Sequence, residues 1–142
     1  MPWPCAVSGP GLRKVAGLQA KTVNVPGYPP FSYLVSGNGE PLVLVDGLTA
    51  DKDTRGAVAR HLMHKYTVIA PDLPGFGDTM RDPHVSYSLD VQVKNLRAFL
   101  LSLGLGLGRV HLGGNTMGGG VVALYAAQYP NEVASLRCPR FF

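Results

Sequence analysis

The most distinctive short pattern in the sequence is Gly114-x-Thr116-x-Gly118, which lies between an apolar segment and a helical pattern. A hydroxyl at the centre of a sharp strand-to-helix bend can be presented as a nucleophile, and glycines two positions away let the strand and the helix approach closely. The helix N-terminus behind such a bend stabilises developing negative charge. The pattern predicts a nucleophilic hydroxyl at Thr116. On spacing alone, a glycine-rich turn without chemistry is an equal alternative.

The elements that must position this bend alternate between strand and helix. Continuous apolar segments are typical of parallel strands covered on both faces, and apolar residues at helical spacing predict the helices between them. The predicted strands are 22–25, 31–35, 41–45, 67–70 and 110–112, and the predicted helices are 52–65, 88–103 and 118–128. We therefore expect an α/β fold with a mostly parallel sheet of about five strands, the first two forming a hairpin.

Ligands bind such sheets at the carboxyl ends of the strands. Two motifs fall there, Asp46-Gly47-Leu48 and the Gly114–Gly118 bend. Both belong to four longer segments that resemble the α/β-hydrolase family, closest to its monoacylglycerol-lipase and carboxylesterase branch. Those segments are LVLVDGLTADKD (42–53), YTVIAPDLPGFGDT (66–79), YSLDVQVKNLRAFLLSLGL (87–105) and RVHLGGNTMGGGVVALYAAQYPNEVASL (109–136).

The resemblance implies a serine hydrolase of carboxylic esters that needs no cofactor. It places Thr116 at the nucleophile position, with Gly114 and Gly118 as the glycines of the bend. It also implies that the backbone N–H groups of Leu48 and Met117 form the oxyanion hole.

Three departures from the family pattern predict impaired catalysis. The nucleophile position holds Thr116, whose β-branched side chain is strained at such a bend. Asp46 stands where the family has His, and its charge opposes an oxyanion. Neither His nor Asp follows Thr116, and Glu132 is the only acid after it. We expect a truncated, impaired hydrolase; the alternative is a pseudoenzyme that acts as a binding or interaction module.

The predicted organisation has three parts: an irregular segment at 1–19, a truncated hydrolase domain at 20–136 and a non-family tail at 137–142. In this arrangement the strand at 109–112 forms an exposed edge of the sheet. Because an apolar edge can pair with another chain, self-association is expected.

Composition excludes several other classes. Only 15% of the residues are charged, against about 25% in ordinary soluble domains, which argues against disorder. The net charge of +4 is spread along the chain rather than clustered, which does not favour nucleic-acid binding. Two cysteines near the chain ends and an isolated His61-x-x-His64 pair predict no metal site.

Two further expectations concern location and nucleotides. No apolar stretch is long enough to span a membrane, and we expect a cytoplasmic protein. Gly118-x-Gly120-x-x-Ala123 matches a loose dinucleotide pattern but falls inside a predicted helix, so nucleotide binding is not favoured. His111, within a predicted buried strand, is expected to be a hydrogen-bonded core side chain.

Overall fold

The computed structural model describes residues 19–45, 62, 64–73, 88–105, 109–114 and 117–137. Within them, six strands form one sheet, and two α-helices and one 3-10 turn pack beside it. The strands are β1 (Gln19–Val23), β2 (Phe31–Ser36), β3 (Glu40–Val45), β4 (Tyr66–Pro71), β5 (Val110–Gly114) and β6 (Val133–Arg137). The helices are α1 (Leu89–Ser102) and α2 (Met117–Gln128), and the 3-10 turn covers Pro130–Glu132.

The strand order is β1-β2-β4-β3-β5-β6. β1 and β2 form an antiparallel hairpin, and β2 also pairs antiparallel with β4. The remaining pairs, β4 with β3, β3 with β5, and β5 with β6, are parallel. The α/β fold and the mostly parallel sheet are thus confirmed.

Alternation along the central strands explains their continuous apolar sequences. In β3, Val43 and Val45 belong to the core on the helix side, whereas Leu42 and Leu44 belong to a smaller cluster with Leu34 on the opposite face. Both sets of side chains are buried, so positions 42–45 of the strand do not favour polar residues.

The larger core lies between the sheet and α1. Phe99 of α1 is fully buried; its ring stacks on Phe31 at 5.5 Å between centroids and meets Tyr33 edge-on at 5.4 Å. Val93, Leu96 and Leu100 are the other buried apolar residues of the helix. Ser88 occupies the N-cap position, and its carbonyl accepts the first helical hydrogen bond from Gln92.

The sheet has six described strands where about five were predicted, and the prediction that the strand at 109–112 is the exposed edge was wrong. β6 pairs with β5 along Val110–Gly113 and takes the edge position itself. The sequence hid this strand because only Val133 of its five residues is buried, so it lacks an apolar run. Self-association stays a prediction. The described sheet has two edge strands, β1 and β6, and β6 is the parallel one.

Two other elements differ from, or fall outside, the prediction. The first strand was predicted at 22–25 but lies at Gln19–Val23, because Val23 pairs with Phe31 and the chain then turns at Gly27, whose φ is 84°. Most of the predicted helix 52–65 lies outside the described residues. Leu62 is helical, and His64 is exposed.

Candidate active site

The carboxyl ends of β3 and β5 meet at one edge of the sheet. Val45 and Gly114, the last residues of these strands, are paired across it. The predicted site residues that follow, Asp46, Gly47, Leu48, Asn115 and Thr116, lie outside the described residues. The predicted site residues that the structure does describe are therefore Gly114, Met117 and Gly118.

The junction of β5 and α2 is closed so tightly that Gly114 has no room for a side chain. A Cβ atom on Gly114 would lie 2.3 Å from the carbonyl oxygen of Gly118 and 2.7 Å from Cγ2 of Val122. Real Cβ contacts with backbone atoms do not reach such distances. Met117, half-buried, is the first residue of α2. The last residue of β5 and the first turn of α2 are therefore in direct backbone contact.

Helix α2 is held against the sheet and against α1. Val121, Val122 and Tyr125 are buried on its inner face. Near its first turn, the methyl groups of Leu89 lie 3.4 Å from where a Cβ of Gly120 would stand. The first turns of α1 and α2 are therefore neighbours at the carboxyl edge of the sheet.

The carboxylate of Glu132 is hydrogen-bonded beyond the end of α2, away from the carboxyl ends of the strands. Nε and Nη2 of Arg97 donate to its carboxylate at 3.1–3.3 Å, and the Arg97 guanidinium lies 4.4 Å from the centroid of the Tyr129 ring. The hydrogen bond to Glu132 raises the pKa of Arg97. Burial, with the nearby charge of Glu132, raises the pKa of Tyr125 well above its ordinary value. This carboxylate ties α1 to the end of α2, a structural task.

His111 has hydrogen-bond partners on both ring nitrogens. It lies near the amino-terminal ends of β3 and β5, opposite to the carboxyl ends described above. Its Nε2 lies 2.5 Å from Oε2 of Glu40, the first residue of β3, and its Nδ1 lies 2.6 Å from Oγ of Ser135 in β6. Tyr66, the first residue of β4, contacts the imidazole edge-on at 5.2 Å between centroids. We call Glu40, His111 and Ser135 the Ser135 cluster.

The expectation of a hydrogen-bonded His111 is confirmed, although the side chain is half-buried rather than in the core. Sequence reasoning missed Glu40 and Ser135. They stand 71 and 24 residues from His111 along the chain, and only the strand register brings the three together. A serine two residues after a strand begins gives no separate signal.

Two other kinds of site, a metal centre and a membrane-spanning helix, are absent from the described part of the chain. No group of three or more His, Cys, Asp or Glu side chains there could hold a metal ion. Among the same residues, every helix is too short or too polar to cross a membrane.

Comparison with known proteins gives a consistent picture. A family described as alpha/beta hydrolase fold matches residues 40–138. Lipase 1 of Psychrobacter immobilis is 36% identical over 126 residues, which cover 87% of this chain and 39% of the lipase. Monoacylglycerol lipase ABHD6 of Homo sapiens is 32% identical over 129 residues, covering 87% of this chain and 37% of that protein.

Solved structures agree. The crystal structure of a putative lipase (lip1) from Acinetobacter baumannii superposes with a TM-score of 0.85 at 38% identity. The match covers 90% of this chain and 43% of the lipase chain. The chain therefore spans about two fifths of the length of the relatives that it matches.

Proposed function

Because this chain belongs to the α/β-hydrolase family, of lipase and esterase type, we propose that it binds neutral carboxylic esters at the carboxyl edge of its sheet. We further propose that the 142-residue chain hydrolyses them poorly at that edge. The relatives named above are lipases, and the proposal extends their ester chemistry to this chain at the level of substrate class.

The close approach of Gly114 to Gly118 carries the proposal. A strand and a helix that meet without space for a Cβ leave two residues, Asn115 and Thr116, to make the bend. A bend of this kind presents its central side chain at the rim of the sheet, in front of a helix N-terminus. This geometry supports Thr116 as the nucleophile position and the N–H of Met117 as one oxyanion donor. Leu48 is proposed as the second donor.

Engagement of the other candidate groups supports impaired hydrolysis. A hydroxyl of ordinary acidity needs a general base within hydrogen-bond reach. His111 is bonded to Glu40 and Ser135 at the far edge, and Glu132 is bonded to Arg97. We infer that neither group is the general base for Thr116. The methyl group of Thr116 adds strain of about 1–3 kcal/mol if the bend requires a positive φ.

The test is hydrolysis of p-nitrophenyl butyrate by the 142-residue chain and by its Thr116→Ala and Thr116→Ser variants. We expect all three rates to agree within about twofold, because the two candidate bases in the described part of the chain, His111 and Glu132, are hydrogen-bonded to other groups. Binding is measured separately by titrating the non-hydrolysable ketone analogue of the ester and following the change in melting temperature.

Two results would contradict the proposal. A rate at least tenfold lower in Thr116→Ala than in the unmodified chain would show that Thr116 is an active nucleophile. No stabilisation by the ketone at millimolar concentration would show that the edge does not bind the ester class. Gly119→Ala serves as a matched control, because a Cβ there meets its nearest neighbour at an ordinary 3.5 Å.

A further inference from the structure

The Ser135 cluster has the order of groups that activates a serine. A carboxylate, an imidazole and a hydroxyl follow one another through two short hydrogen bonds, 2.5 Å from Glu40 to His111 and 2.6 Å from His111 to Ser135. We propose that Ser135 is a second nucleophile, which accepts acyl groups from small neutral carboxylic esters. His111 is its general base, and Glu40 positions the imidazole.

The protonation pattern follows from the chemistry of the partners. An ionised carboxylate only accepts hydrogen bonds, so Nε2 of His111 donates to Glu40. In the neutral imidazole the other nitrogen, Nδ1, is then an acceptor. The hydroxyl of Ser135 donates to it, which is the orientation that proton abstraction requires. The two ring nitrogens have exchanged the roles that they take in the familiar serine-protease arrangement.

The imidazole is held in place from three strands. Glu40 anchors it from β3 and Ser135 from β6, while the Tyr66 ring packs edge-on against it from β4. Lys65 in turn lies over the Tyr66 ring, at 5.7 Å from the centroid. A base held in one orientation needs little reorganisation when the hydroxyl attacks.

Accessibility separates this cluster from a buried structural network. His111 and Ser135 are half-buried, and Glu40 is exposed. A hydroxyl that reaches water needs no imidazole to satisfy it, so hydrogen-bond satisfaction alone does not explain the pairing. β6 is the edge of the described sheet, and its outward backbone N–H groups have no described strand beside them. Those N–H groups can stabilise an oxyanion.

Charge selects the substrate class. The exposed carboxylate of Glu40 repels anionic substrates, which favours neutral esters over phosphate esters. The open setting at a strand edge favours small acyl groups, because little surface surrounds a long chain.

The reaction balances without any further group. Oγ of Ser135 forms a bond to the ester carbonyl carbon while its proton passes to Nδ1 of His111. Collapse of the tetrahedral intermediate breaks the carbonyl–alkoxy bond, and the leaving alcohol takes the proton back from Nδ1. Water then attacks the acyl-serine by the same proton path and releases the carboxylic acid.

This second site is separate from the bend at Thr116. His111 precedes Gly114 by three residues in an extended strand, about 10 Å along the sheet. The proposal therefore does not depend on the proposed function, and one experiment distinguishes the two.

The experiment treats the 142-residue chain with an alkyl fluorophosphonate, which loses fluoride when a serine oxygen bonds to phosphorus. Cleavage after arginine and glutamate then separates Thr116, in peptide 110–132, from Ser135, in peptide 133–137. We expect label on 133–137 at about 100 times the rate on Ser102 in peptide 98–109, the lower end of what a general base contributes. Ser102 is half-buried like Ser135, and no imidazole bond to it is described.

Variants make the assignment specific. His111→Gln and Ser135→Ala should remove the label on 133–137, and Glu40→Gln should slow it about tenfold, because the tautomer of His111 is then less strongly fixed. Release of p-nitrophenolate from p-nitrophenyl acetate should fall in Ser135→Ala and stay unchanged in Ser102→Ala, which removes a half-buried hydroxyl outside both proposed sites.

Peptide 133–137 of the unmodified chain decides the proposal even if a variant fails to fold. If it carries no more label than the Ser102 peptide, the Ser135 cluster is only a hydrogen-bonded link between strands. Label on 110–132, which contains Thr116, would instead contradict the proposed function. The result for Ser135 would still be obtained from peptide 133–137.

Discussion

Gly114 and Gly118 are in contact through their backbones, so that a Cβ on Gly114 would stand 2.3 Å from the carbonyl oxygen of Gly118. The obstacle is main chain and cannot rotate away. We expect Gly114→Ala to lower the free energy of unfolding by about 1–3 kcal/mol through overpacking. Urea denaturation measures the change.

Gly119→Ala is the matched control for this substitution. A Cβ on Gly119 would be 3.5 Å from the nearest atom outside the helix, the carbonyl oxygen of Gly114. Gly119 lies in the first turn of α2. Alanine is favoured over glycine in a helix, so a stabilisation of up to about 1 kcal/mol is expected. Equal destabilisation by both variants would mean that the junction is not the constraint.

The aromatic group around Phe99 gives a second prediction. Phe99 is fully buried between Phe31 and Tyr33. Phe99→Ala should cost about 3–5 kcal/mol, because apolar burial is lost and a cavity remains. Leu101→Ala on the same helix, where the residue is 45% exposed, should change stability by less than about 0.5 kcal/mol. Thermal unfolding followed by circular dichroism compares the two, and similar losses would refute the assigned core.

Tyr125 predicts a loss of stability in alkaline solution. Burial holds the pKa of its phenol above the ordinary value of about 10 that it has in the unfolded chain. Above that pH the unfolded state releases a proton that the folded state retains, so the free energy of unfolding falls as pH rises. Below about pH 10 the effect is absent.

The measurement compares urea midpoints of the unmodified chain and Tyr125→Phe between about pH 8 and 11, around the ordinary phenol pKa. The decline above pH 10 should be smaller in Tyr125→Phe, since the substituted ring does not titrate. Parallel curves across the whole range would show that Tyr125 does not contribute.

The ion pair between Arg97 and Glu132 should contribute modestly. The Arg97 side chain is 38% exposed, and solvent screens the pair. A double-mutant cycle with Arg97→Met and Glu132→Gln should give a coupling of about 0.5–1 kcal/mol at low salt. The coupling should shrink in 1 M NaCl, where the screening length is about 3 Å. A coupling that salt leaves unchanged would point to packing on Tyr129 rather than to charge.

The edge of β6 predicts self-association. Leu136 is exposed on this strand, and the sheet order leaves its outer side without a described neighbour. Exposed strand edges pair readily with other chains. Sedimentation velocity should show dimers or larger species that weaken in Leu136→Lys, because a lysine on the edge opposes pairing. A monomer at all concentrations would exclude association through β6.

Much of the fold could be predicted because buried parallel strands have a distinct sequence pattern. β3 and β4 are continuously apolar, and their predicted positions agree with the structure to within one residue at each end. β6 escaped detection because its partner β5 supplies most of its pairing and Val133 alone is buried. Local sequence does not record such neighbour-dependent pairing.

The two candidate sites differ in the same way: one depends on neighbouring residues and the other on strand pairing. Gly114 and Gly118 are four residues apart, and the Gly-x-Thr-x-Gly spacing between them predicted their close approach. Glu40 and His111 meet only because β3 and β5 are adjacent in the sheet with a particular register. Contacts of that kind depend on the whole topology, and no spacing along the chain predicts them.

Helices α1 and α2 are linked at two places. Leu89, the first residue of α1, lies against Gly120 in the first turn of α2, and Arg97, in the second half of α1, binds Glu132 and Tyr129 just beyond the end of α2. Two contacts at separate points oppose rotation of one helix relative to the other. A ligand that binds at the carboxyl edge of the sheet would therefore meet helices whose relative orientation is already fixed by these contacts. We expect the affinity to be limited by the translational and rotational entropy that the ligand loses and by the loop residues that it contacts, rather than by rearrangement of these helices.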